Sequence, residues 1–201
     1  MAINKPQILE GNKLQEFLRA EVQQGLLNKG LEVLEITEFY LVNLLMRFAR
    51  TEDLFIPVEG GFKEEPLALM LARAVSGDTS TQIRELKRLG DISLYITGLF
   101  EERVKKGPVG VGYYVDMGSG AYGTLAGQLA NEDVFEELYA ELSDNFYNLA
   151  KVIGDLSVAE FIGTNSELLV LYERWLITGN EKIRRRLVQE GLNPINKKIS
   201  C

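Results

Sequence analysis

Residues 111–130 read Val-Gly-Tyr-Tyr-Val-Asp-Met-Gly-Ser-Gly-Ala-Tyr-Gly-Thr-Leu-Ala-Gly-Gln-Leu-Ala, and two folds compete for them. At period two, Val109, Val111, Tyr113, Val115 and Met117 alternate like a strand, and the strand runs into a literal G-x-G-x-x-G at Gly118, Gly120 and Gly123. At period 3.6 the same residues make one helix from about Val109 to Ala130. Val111, Tyr114, Gly118, Tyr122, Leu125 and Leu129 then form one stripe. Gly112, Asp116, Ser119, Gly123, Gly127 and Ala130 form a second, of mainly small residues. A third reading breaks the segment into two short helices at Gly118–Gly123.

Val115–Gly123 resembles the first motif of S-adenosylmethionine-dependent methyltransferases, in which a strand ends in an acidic residue before a glycine turn. The resemblance implies that Gly118 and Gly120 let the backbone approach the ligand. Three features oppose it. Tyr122 stands where the third glycine of that pattern belongs. The acidic residue expected about 20 positions on falls near Glu136, Glu137 or Glu141, inside the strongest helical pattern of the chain. A parallel sheet also needs strands alternating with helices, and the remainder of the sequence offers none.

The helical reading has its own cost. Six glycines between Gly110 and Gly127, at about 0.8–1 kcal/mol each relative to alanine, cost a helix about 5 kcal/mol. Close packing on the small-residue ridge is the expected compensation. A central glycine-rich helix in an all-α bundle of roughly seven to nine helices is therefore the expected fold, with 1–201 as a single domain.

The flanking sequence supports this. Leu14, Phe17, Leu18 and Val22 form an early amphipathic stretch, weakened by Gly25 and Gly30. Thr37 reads as the N-cap of a helix over Glu38–Arg50, on which only Tyr40, Asn43, Arg47 and Arg50 are polar on one strip. Phe55–Pro66 reads as a loop, by its two prolines and Gly60-Gly61. Pro66 suits the first turn of a helix to about Ala74. Asp78–Thr81 offer caps for a helix through Arg88, which Gly90 ends, and Asp91 caps the next. Asn131 caps a long helix whose stripe is Phe135, Leu138, Leu142, Phe146, Leu149 and Ile153. Thr164 and Glu167 form a capping box before Leu168, Leu171, Tyr172 and Trp175.

Of 201 residues, 46% are hydrophobic and 25% charged, with no histidine and one cysteine, Cys201. Ser-His-Asp and Cys-His catalysis, histidine-ligated metals, four-cysteine metal clusters and intrachain disulfides are excluded. Neither a metal nor an organic cofactor is expected. The net charge of −7 argues against nucleic acid. The start lacks the apolar run of a signal peptide and no stretch is long enough to span a membrane, so a cytoplasmic protein is expected.

Candidate binding residues fall in two groups. Asp116, beside Tyr113 on the small-residue ridge, would need a partner if buried, and Arg47 is the candidate; Tyr113, Asp116 and Arg47 would then line a small-ligand pocket beside Gly112–Gly127. The second group lies in residues 180–201. There Lys182, Arg184, Arg185, Arg186, Lys197 and Lys198 face only Glu181 and Glu190. Arg184, Arg185, Lys197 and Lys198, the last two in a basic tail over 192–201, are candidates for docking an acidic protein partner. Adjacent acids such as Glu101-Glu102 and Glu136-Glu137 diverge on a helix and read as solvated faces.

Gly90-Asp91 to Phe100, Gly112 to Tyr122 and Leu171 to Gly179 together resemble a bacterial family of all-helical proteins with no assigned activity, so the resemblance implies a fold and no site. The leading expectation is a non-enzymatic helical protein acting through protein–protein interaction or self-association. The small-ligand pocket is the alternative.

Overall fold

The computed structural model describes residues 6–48, 55–58, 61–130, 133–156, 175 and 180–189. Among them it is an all-α bundle with one small hairpin. The helices are α1 (Pro6–Lys29), α2 (Glu35–Phe48), α3 (Leu67–Ser76), α4 (Thr79–Leu99), α5 (Glu101–Lys105), α6 (Val111–Gln128), α7 (Asp133–Asp144), α8 (Phe146–Asp155) and α9 (Glu181–Gln189). The strands β1 (Phe55–Val58) and β2 (Gly61–Glu64) pair antiparallel, with Phe55 opposite Glu64 and Val58 opposite Gly61. That hairpin replaces the expected loop. Proline and glycine punctuate both kinds of structure, and a two-strand ribbon tolerates Pro57 because each strand has a free edge.

Gly118–Gly123 lie inside α6, with no strand before them, and the methyltransferase reading fails on that point. Gly118, Ala121, Tyr122, Leu125 and Ala126 are buried. The expected close packing occurs at Gly118, whose α-carbon faces Phe146 and Ser93 too closely for a side chain. On the small-residue ridge it occurs only in part: a β-carbon on Gly123 would lie 3.1 Å from Oγ of Ser143, which donates to the Ser119 carbonyl at 2.9 Å, whereas Gly112 and Gly127 have open space and Asp116 is exposed.

The tight ridge belongs instead to α4. This helix runs unbroken through Gly90-Asp91, correcting the expected stop and restart. It packs on α2, α3, α5, α6 and α8, and Gly90, Ser93, Thr97 and Gly98 are all buried along it. A β-carbon on Gly98 would lie 2.9 Å from the Ala150 carbonyl, and one on Gly154 would lie 2.8 Å from the Gly98 carbonyl, so α4 and α8 cross backbone to backbone. Asp78 caps α4, accepting from the Thr81 amide at 2.8 Å.

Three other boundaries have local causes. α1 ends in a Schellman turn: Gly30, at φ 61°, donates to Leu27 and Leu31 donates to Leu26. α2 begins at Glu35, before the expected Thr37 cap, because the Leu34 carbonyl accepts from the Thr37 and Glu38 amides while the Leu34 amide donates to Glu141. The expected long helix from Asn131 breaks at Asn145 (φ −100°, ψ 14°). The break lets α7 lie on α6 and α8 lie on α4. Leu138, Leu142, Phe146, Leu149 and Ile153 are buried as their spacing predicts, whereas Phe135 is exposed. The capping box at Thr164–Glu167 and the tail over 192–201 lie outside the described residues.

Candidate functional site

Among the described residues the most heavily bonded carboxylate is Asp91. Its carboxylate is buried mid-way along α4 and meets four donors from three helices. Tyr40 of α2 and Tyr122 of α6 donate their hydroxyls to Oδ1, Tyr122 at 2.8 Å. Arg47 Nη2 donates to Oδ2 at 2.6 Å and Lys87 Nζ at 2.8 Å. Each donor has a local reason for its place. Tyr40 and Arg47 are seven apart, two turns along one face of α2; Lys87 lies one turn before Asp91 on α4. Tyr122 reaches the carboxylate across Gly90, where a β-carbon would stand 2.5 Å from Cε1 of the ring.

Aromatic rings close the site. Tyr139 of α7 stacks on Tyr122 at 5.8 Å and stands edge-on to Tyr40 at 6.1 Å. The Arg47 guanidinium lies 4.5 Å from the centre of the Phe48 ring, and the Lys87 ammonium 4.8 Å from that of Tyr40. Burial, followed by the negative charge of Asp91, pushes the Tyr40 and Tyr122 phenols well up, and the same two causes push Tyr139 up to about 12. All three stay neutral hydrogen-bonding groups through the physiological range. Burial draws the Arg47 guanidinium down, but the charge and hydrogen bond of Asp91 outweigh it and the net shift is upward.

A carboxylate offers roughly four lone-pair positions. On Asp91 all of them are taken, so it has no acceptor left with which to remove a proton from a substrate. The arrangement tethers α2 and α6 to α4. A second ion-pair cluster ties α3 to α4: Arg73 donates to Glu65 at 2.5 Å and to Glu85 at 2.9 Å, and Arg88 donates to Glu65 at 2.5 Å. The Arg73 hydrogen bond, opposed by burial and reinforced by Arg88, holds Glu65 below the usual carboxylate range.

The three expected ligand residues separate. Arg47 pairs with Asp91, Asp116 is exposed, and Tyr113 is half-buried with its ring edge-on to Tyr114 at 5.5 Å. No hydrogen bond or ion pair joins them among the described residues. Arg184 and Arg185 are exposed on α9, where Arg184 pairs with Glu181 at 3.3 Å; Lys197 and Lys198 lie outside the described residues. No group of three or more potential metal-binding side chains occurs among the described residues, and none of their helices is long and apolar enough to cross a membrane.

Sequence reasoning missed Asp91 because glycine followed by aspartate is also a helix stop and a cap. Two signals pointed to it: Lys87 one turn earlier, and an apolar period that continues through Leu86, Leu89 and Tyr95 without interruption. No protein-family model, curated protein or solved structure matches the chain.

The outer side of α3 has a different character. Apart from Arg73 and Ser76, every residue of α3 is apolar. Leu67, Met70 and Ala74 are buried against the bundle. On the opposite side Ala68, Ala72 and Ser76 recur every fourth residue. Leu69 (54% exposed) and Val75 (73%) flank that row. A helix apolar all round belongs in an interior, and half of this one faces out. Arg84, exposed on the neighbouring α4, meets Glu85 only at 3.4 Å.

Proposed function

We propose that the protein works by self-association, without catalytic chemistry of its own, and that the outer face of α3 receives α7 of a second copy. The exposed apolar side of α3 carries the proposal. Its row of small residues forms a shallow groove between Leu69 and Val75, a shape suited to a protruding apolar knob. The first turn of α7 supplies one: Val134 and Phe135 are 56% and 45% exposed, although they lie three or four residues from buried Leu138.

Charge supports the same pairing. Arg84 is 67% exposed on α4, meets Glu85 at 3.4 Å, and is more open to a partner's carboxylate than Arg73 or Arg88. Glu136 and Glu137 follow the knob on α7 and make no ion pair with another described residue. The contact joins unlike surfaces, so copies add head to tail and either close a ring or extend.

The test is sedimentation velocity over a concentration series. The wild-type protein is expected to associate, and Val75→Lys to sediment as a monomer with unchanged helix content. A wild-type protomer that stays monomeric at every concentration overturns the proposal. The bacterial family likeness and a cytoplasmic setting belong to the same proposal and add no site to it.

A further inference from the structure

We propose that Arg47 and Lys87 form a binding site for a small monoanionic carboxylate, independent of the α3 surface. Both cations donate to the same oxygen of Asp91, at 2.6 and 2.8 Å, so the guanidinium and the ammonium stand one oxygen atom apart. Their side chains are 40% and 36% exposed, whereas Asp91 is buried. Each spends one N–H on Asp91 and keeps further donors on a part-exposed side chain.

Asp91 is the one carboxylate bonded to either of them among the described residues. Two cations against one anion leave a single positive charge, because the surrounding tyrosines are neutral. Long basic side chains at a surface ordinarily lose much order when they bind, and here that order is already in place. The Phe48 and Tyr40 rings support the two cations and a buried anion fixes their inner ends.

The charge balance selects the ligand class. One carboxylate neutralises the site, and its planar geometry suits the guanidinium fork. Arg47 belongs to the last turn of α2, where the helix dipole is negative. That end opposes a dianion more than a monoanion, and neither Arg47 nor Lys87 lies at a helix N-terminus whose amides would cradle a phosphate.

The experiment follows the side-chain nitrogen resonances of Arg47 and Lys87 in the full-length labelled protein. Sodium acetate, phosphate and chloride are added separately at matched ionic strength. Acetate is expected to shift both resonances saturably and at lower concentration than phosphate, with no saturation by chloride. Lys87→Met should abolish the saturable shift at Arg47. If that variant does not fold, Arg47→Lys keeps the charge without the fork and should weaken acetate binding by about tenfold. Equal, unsaturated responses to all three salts overturn the site, as does an undiminished acetate response in a folded Lys87→Met or Arg47→Lys protein. Phosphate saturating at lower concentration than acetate overturns the carboxylate assignment.

Discussion

The ring of Tyr122 lies directly on Gly90, leaving no room for a β-carbon, and its hydroxyl reaches the carboxylate of the next residue, Asp91. The glycine thus admits the ring, and the ring delivers a donor to a buried charge. Gly90→Ala should therefore destabilise the protein even though alanine is the better helix former by about 1 kcal/mol. The Tyr122 ring is enclosed and cannot retreat, so overpacking should cost about 1–3 kcal/mol net. Urea unfolding measures it; a rise in stability would mean that the ring moves aside freely.

Asp91→Asn keeps the shape of the side chain but turns one acceptor position into a donor facing Arg47 and Lys87. Because those two cations are part-exposed and can take up water, a loss of about 2–4 kcal/mol is expected, below the upper end for fully enclosed pairs. Tyr122→Phe removes one donor and should cost about 1–2 kcal/mol. Equal stability of all three proteins by urea titration would contradict the tether.

Alkali should unfold the protein through its tyrosines. Tyr40, Tyr122 and Tyr139 have folded-state values above the ordinary 10 of an unfolded tyrosine. The folded state therefore holds their protons more tightly, a contribution fully present below pH 10. It is lost as pH rises above 10 toward the folded values. Phenolate absorbance should show a late, cooperative step that coincides with loss of helix by circular dichroism. A single smooth titration near pH 10 in a protein that stays helical would rule this out.

The glycines of α6 should divide by their surroundings. Gly120→Ala and Gly127→Ala meet open space and should each stabilise by about 0.5–1 kcal/mol. Gly118→Ala collides with Phe146 and Ser93 and should destabilise by about 1–3 kcal/mol. Thermal unfolding of the three variants distinguishes this pattern from uniform behaviour.

Much of the fold is legible in the sequence because apolar spacing is a local signal. The stripe Leu138–Ile153 is buried as spaced, and α6 is one helix despite its glycines. What escapes is set by residues distant in the chain. Gly90 is a helix stop in every local respect, and only Tyr122, 32 positions later by sequence number, explains why it is a contact instead. The ridge of α6 is filled only in part for the converse reason: small residues permit close approach, but nothing in their spacing says that Ser143 comes to Ser119 and Gly123 while Gly112 and Gly127 stay open. Arg47 is legible as a candidate partner for a buried acid, while the choice of Asp91 over Asp116 depends on how α2 crosses α4.

Head-to-tail association of α3 with α7 is tested most directly by mixing two variants, each blocked on one surface. Val75→Lys closes the groove and Phe135→Lys removes the knob, so each protein alone should sediment as a monomer. Mixed in equal amounts, they retain one intact groove and one intact knob between them. They should form a heterodimer that grows no further. A mixture that stays monomeric, or one that assembles beyond two chains, would contradict the pairing.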